Sequence, residues 1–170
     1  TQYRYPMPFG ERHIISFKED LDHPTALVKT NIETGEESRI CHTGNISTRA
    51  TMKDGRIWWT EYRRGVIYQE RVNSRLCYVD LDKRRPRTIF RHRNVQFPTV
   101  IDDCDSLAWV EYHPDGTYSV ALGVRKGSRT IATMEFGVEL HSLAYDNKSR
   151  HLYFIATDDD GMWLGRVNRD

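Results

Sequence analysis

Four stretches of this chain align with one another, and a unit restated at long intervals narrows the possible folds more than any other feature. They are His13-Ile-Ile-Ser-Phe-Lys-Glu, Arg56-Ile-Trp-Trp-Thr-Glu-Tyr, Ser106-Leu-Ala-Trp-Val-Glu-Tyr and His151-Leu-Tyr-Phe-Ile-Ala-Thr. Aligned on their aliphatic residue, Ile15, Ile57, Leu107 and Leu152 recur at steps of 42, 50 and 45 residues, with Phe17, Trp59, Trp109 and Phe154 two places on. A strand-like core repeated at that period marks a propeller blade. Sandwiches and barrels have no need to restate one unit at such a step.

Between the repeats the chain breaks into short apolar or alternating segments separated by Asp-Gly, Thr-Gly, Lys-Gly and Asn-Lys, with almost no helical period. The first unit reads as strands Ile14–Lys18, Ala26–Ile32 and Glu37–Cys41. The second reads as Ser47–Met52, Ile57–Tyr62, Arg75–Leu81 and Arg87–Arg91, and the third as Pro98–Ile101, Leu107–Tyr112, Tyr118–Val124 and Thr130–Glu135. The fourth has three: Leu140–Tyr145, His151–Thr157 and Met162–Val167. Ile57-Trp58-Trp59 is apolar on both sides, as a strand covered on both sheet faces requires, so these tryptophans read as packing between blades.

The expectation is an all-β propeller with about four blades present, approximately 3–43, 44–92, 93–136 and 137–170, in one domain over 1–170. Two endings of the pattern are open. Tyr3-Arg4-Tyr5 could supply the missing outer strand of the fourth unit and close a four-bladed ring, or this is part of a larger propeller, the reading preferred here. The chain starts at Thr1 and not at Met, which fits a piece of a longer protein.

Lys plus Arg is 25 against 24 for Asp plus Glu, so no global field points to nucleic acid. The absence of any long apolar run argues against membrane insertion by a helix. Cys41, Cys77 and Cys104 are far apart and odd in number, and each reads as a small buried thiol.

Units built as an apolar strand, an Asp-Gly turn, an aromatic strand and a strand ending like Tyr78-Val79-Asp80-Leu81-Asp82 resemble the repeats of TolB-like propellers. Lys29-Thr30-Asn31-Ile32-Glu33-Thr34-Gly35 and Met52-Lys53-Asp54-Gly55-Arg56-Ile57 carry the likeness most closely, while the usual Ser-Pro-Asp-Gly turn survives only as His113-Pro114-Asp115-Gly116. The resemblance implies a non-catalytic scaffold of the bacterial periplasm or envelope that binds a protein or peptide partner. It brings no catalytic residue and no cofactor. The rival is a propeller enzyme or carbohydrate-binding module, acting on a polysaccharide or peptide, with its catalytic parts in loops or a domain outside this segment.

Ligands of propellers usually meet the face where each outer strand passes to the next inner strand, here Cys41–Asn45, Phe90–Phe97 and Phe136–Glu139. The hairpin loops Asp20–Thr25, Arg63–Ser74 and Thr157–Gly161 belong to the same face. Arg63 and Arg64, with Arg91, His92 and Arg93 from the next connection, could form a basic patch for an anionic partner. His141 opens an innermost strand and could look into the central channel. The other signals read as structure. Asp158-Asp159-Asp160-Gly161 lacks the alternate spacing of a calcium loop and reads as a polar turn. Glu19, Glu61 and Glu111 recur at one place in three units, which points to a repeated hydrogen-bonding task and away from an acid–base pair. No two of the seven histidines share a metal-ligand spacing on one element, so no metal site is expected.

Overall fold

The computed structural model describes residues 1–62, 74–90, 93–101, 106–124 and 127–170, which form antiparallel strands and no helix. The first sheet is β1 (Gln2–Phe9), β2 (His13–Glu19), β3 (Ala26–Asn31) and β4 (Glu37–His42), hydrogen-bonded in that order. The second is β5 (Ile46–Lys53), β6 (Arg56–Tyr62), β7 (Ser74–Asp80) and β8 (Arg87–Ile89). The third is β9 (Asn94–Val100), β10 (Leu107–Tyr112), β11 (Tyr118–Val124) and β12 (Gly127–Thr133). The fourth has three strands, β13 (Glu139–Asp146), β14 (His151–Asp158) and β15 (Gly161–Asn168). Each sheet is a meander, and the inner strands β1, β5, β9 and β13 approach one another in chain order. This is a partial β-propeller of about four blades.

Local chemistry sets the hairpins. Lys53 pairs with Arg56 across a two-residue turn in which Asp54 and Gly55 have φ of 49° and 73°. That is the primed turn whose twist matches the strands it joins, and Asp-Gly is the pair that tolerates it.

The N-terminus departs from expectation. Tyr3-Arg4-Tyr5 does not complete the fourth sheet; it lies in β1, the inner strand of the first, where Tyr3 pairs with Lys18 and Phe9 with His13. Pro6 and Pro8 do not end this strand, because β1 pairs on one side only. A strand with an open edge can forgo amide donors that a central strand needs. β9 likewise runs through Pro98 and starts at Asn94, four residues before the expected boundary.

The core is three layers, each shared by two neighbouring sheets. Between the first and second lie Ile15, Phe17 and Leu27 against Ile57, Trp59 and Val79. Trp58, Leu76 and Tyr78 meet Leu107, Trp109 and Ala121 between the second and third. Ala108, Val110 and Val120 meet Leu140, Leu152 and Phe154 between the third and fourth. Adjacent residues of one strand therefore serve different layers. Trp58 and Trp59, 1% and 0% exposed, point opposite ways, which is why β6 is apolar without alternation.

Three of the four repeated rings are equivalent. Trp59, Trp109 and Phe154 each face the sheet before their own, whereas Phe17 faces the sheet after, with its ring 5.9 Å from that of Trp59. The reason is coverage. Among the described residues the first sheet has a neighbour on one side only, and its large apolar side chains occupy that side. Its other side carries Ser16, Lys18, Val28, Glu37 and Arg39, with Lys18 Nζ 2.6 Å from Glu37 and the Tyr3 hydroxyl donating to the same carboxylate at 2.8 Å.

Trp109 is fully buried and packs on Phe90 at 4.9 Å. Trp109→Ala should cost about 3–5 kcal/mol. Urea unfolding followed by circular dichroism checks it, with Leu21→Ala, at a fully exposed loop position, expected to leave the midpoint in place.

Candidate functional site

The four inner strands enclose a cavity of about 800 Å³. Each of them is bulged near its middle, at Tyr5-Pro6 in β1, Arg49-Ala50 in β5, Phe97-Pro98 in β9 and His141 in β13. A bulge puts extra residues opposite the partner strand and re-aims side chains. Here Tyr5, Arg49, Phe97 and His141 all line the cavity. Tyr5 and Phe97 hold φ of 52° and 51°, and each directly precedes a proline. Aromatic residues in this left-handed region carry strain of about 1–3 kcal/mol, a condition that clusters at binding sites.

The cavity wall is cationic. Its charged or titratable liners are Arg49, His141 and the phenols Tyr5 and Tyr145, with no carboxylate among the described lining residues. Arg49 is exposed and makes no hydrogen bond or ion pair among the described residues. The His141 ring lies 2.6 Å from the Thr157 hydroxyl and 4.0 Å from Glu139, at the end of the sheet where the connection enters.

That end is built by the repeated glutamates. Glu61, 3% exposed, accepts from the Gly44 amide at 2.8 Å, from Trp59 Nε1 at 2.8 Å and from Arg75 twice, at 2.9 and 2.7 Å. Gly44 belongs to the connection from the first sheet to the second, so one carboxylate joins a core tryptophan to an entering loop. A side chain at Gly44 would meet Glu61 Oε2 at 2.8 Å and would have to displace a carboxylate held by Arg75. Thr43 donates its amide to Thr25, placing the connection beside the hairpin loop of the first sheet. Glu111 repeats the arrangement more loosely, with Trp109 Nε1 at 3.4 Å and Arg93 at 3.6 Å, and Glu19 pairs with Arg4 at 3.2 Å.

Burial works to raise the Glu61 pKa, but the donors from Gly44, Trp59 and Arg75 prevail and hold it below the ordinary 4.5. Cys41 and Cys77 are buried, and desolvation pushes their thiols up to about 11 and about 12. Asp158 accepts from the Asp160 amide at 2.9 Å and from Trp163 Nε1 at 2.8 Å, and so forms a polar turn.

Of the six residues singled out in the sequence, Arg63, Arg64, Arg91 and His92 lie outside the described residues, as does Cys104. Arg93 sits on the connection into the third sheet. It donates to the Ser128 hydroxyl at 2.7 Å, lies 5.3 Å above the Phe90 ring and faces Glu111. His141 lines the cavity, apart from Arg93. Tyr5, Arg49 and Phe97 line the same cavity and are not among the residues the sequence singles out. Tyr-Pro and Phe-Pro in inner strands are a readable sign of a bulge, whereas nothing in the local sequence distinguishes Arg49 from any exposed arginine.

The arrangement of sheets defines a β-propeller. No protein-family model and no curated protein sequence matches the chain. Among solved structures it resembles TolB from Acinetobacter baumannii (8% identity, TM-score 0.61, covering 91% of this chain and 40% of that one). It also resembles a putative TolB from Agrobacterium tumefaciens (8%, 0.66, 93% and 58%). A third likeness is the β-propeller domain of the Trilobed protease from Pyrococcus furiosus (13%, 0.59, 98% and 50%). The fold is thus a TolB-like propeller, and the chain spans roughly half the length, 40% to 58%, of these structures.

A carboxylate whose pKa is depressed on folding stabilises the protein above its ordinary pKa, and that contribution is lost as pH falls through the lower folded value. The urea midpoint should therefore drop as pH is taken below about 4.5. Glu61→Gln should lower stability by about 1.5–3 kcal/mol at neutral pH and flatten the acid limb of the profile.

Proposed function

We propose that this chain is a non-catalytic propeller scaffold that binds a protein or peptide partner across its loop-bearing face, with an extended segment of the partner entering the channel. The channel wall carries this reading, since Arg49 and His141 stand among Tyr5, Phe97 and Tyr145 with no carboxylate among its described lining residues. An arginine without an internal partner is a ready donor pair for a carboxylate, and aromatic walls suit apolar side chains. The basic patch expected from the sequence at Arg63, Arg64, Arg91, His92 and Arg93 would suit the same anionic partner.

The residues 3–43, 44–92, 93–136 and 137–170 are read as successive blades of one propeller domain. The TolB resemblance supports residence in the periplasm or envelope. The rival reading, an enzyme with its chemistry outside this segment, draws on the likeness to a protease propeller. The acid–base pair a glycosidase uses is absent from the described channel wall.

A random peptide library displayed on phage and selected on the full chain tests the proposal. Enriched peptides should carry carboxylates, and the variant Arg49→Glu/His141→Ala should bind them at least about tenfold more weakly, a loss of about 1.4 kcal/mol. Equal binding by wild type and variant overturns the channel as the site.

A further inference from the structure

The turn from β7 to β8 gathers cations that its own carboxylates do not match. Residues 80–87 read Asp-Leu-Asp-Lys-Arg-Arg-Pro-Arg, four cations against two carboxylates, in a chain whose formal net charge is only +1. The turn lies at the end of the second sheet opposite the Gly44 connection. There Asp80 pairs with Arg56 in the ladder, and the Leu81 amide donates to the Gly55 carbonyl at 2.8 Å. Lys83, Arg85 and Arg87 line a cleft of about 270 Å³, with no carboxylate among its described liners.

The acidic residues of the turn are spent elsewhere. Asp80 is engaged by the Arg56 guanidinium and, at 3.6 Å, by Lys83. Asp82 is exposed and stands outside the cleft lining. Arg85 and Arg87 are exposed and make no side-chain hydrogen bond or ion pair among the described residues.

The backbone fixes this arrangement. The Lys83 and Arg84 amides both donate to the Asp80 carbonyl, at 3.1 and 2.9 Å, and Arg84 turns the chain with φ of 51°. Pro86 fixes its own φ and biases Arg85 toward an extended backbone. Arg87 then enters β8 opposite Tyr78. Three like charges are thus held around one opening, where their repulsion has no relief from the cleft's described liners. A cleft lined by one sign of charge focuses its field and concentrates counter-ions.

We propose that this cleft binds a phosphate-bearing anion, either a free oligophosphate or the phosphate headgroups of an anionic lipid surface. Guanidinium forks donate in pairs to phosphate oxygens, and Lys83 adds a point charge. Three cations match a group of two or more negative charges, whereas one arginine already satisfies a single carboxylate. The site shares no lining residue with the channel and uses neither Arg49 nor His141.

Two probes test this on the full chain: inorganic tripolyphosphate by isothermal titration calorimetry, and co-sedimentation with vesicles of phosphatidylglycerol in phosphatidylcholine. At least one should bind, tripolyphosphate more tightly than citrate, or the mixed vesicles more than pure phosphatidylcholine. Arg85→Gln/Arg87→Gln should weaken that binding at least about tenfold. Arg84→Asn removes a charge from the same turn outside the cleft lining, suits a left-handed backbone, and should change binding less than about twofold. Urea midpoints should hold in both variants, since the side chains removed are exposed. If the double variant loses stability, Arg85→Gln and Arg87→Gln are read singly. Tripolyphosphate binding alone identifies a soluble source, and vesicle binding alone a lipid surface. Failure of both probes overturns the proposal, as does unchanged binding by the cleft variants. Citrate matching tripolyphosphate, or an Arg84→Asn loss as large as that of Arg87→Gln, also overturns it, because the ligand would then read net charge and not the cleft. Peptide binding through Arg49 can fail or succeed independently of each result.

Discussion

Each sheet in this protein is held by the neighbours that cover its faces. A four-stranded meander with one covered face is marginal in water, and burial at about 25 cal/mol per Å² works only where apolar area has a partner. The second and third sheets have partners on both sides, so Trp58 and Trp59, or Leu107 and Ala108, are buried in adjacent layers from consecutive positions. From that constraint follow the lack of alternation in the second strands, the radial array and the channel where inner edges meet. No layer is optional, because removing one sheet exposes a face of the next.

The repeated glutamate links this core to the loop end of the sheets. In the second sheet Glu61 is buried and fully engaged, joining Trp59 to Gly44 and Arg75. In the third, Glu111 holds Trp109 and Arg93 at longer distances. A buried carboxylate survives only where several donors meet it. Here those donors come from the core, the neighbouring strand and the entering connection. The loop end is positioned by the core through that one side chain, which gives the carboxylate at this station a structural task.

Much of the architecture was legible because period and two-sided burial are written directly into strand sequences. The spacing of Ile57, Leu107 and Leu152 located three second strands, and Asp54-Gly55 located a turn. The facing of Phe17 was not legible. Which side of a sheet an aromatic ring takes depends on which side is covered, and a single strand records the ring without recording its neighbour. β1 was missed for a related reason, since Pro6 and Pro8 look like strand breakers until the strand is known to pair on one side. The channel residues were hardest. Arg49 reaches the cavity through a bulge, which shifts facing by one residue with no mark in composition.

The prolines of β1 and β9 also bear on how a visiting chain can be held. A strand with a free edge invites an intruder to zip alongside it, amide to carbonyl, and so lengthen the sheet. Pro6, Pro8 and Pro98 delete donors from two of the four edges that border the lumen. A polypeptide threading that passage is denied a continuous ladder there and has to be gripped by side chains. Such a grip reads chemistry and not backbone, and it can let go without unzipping.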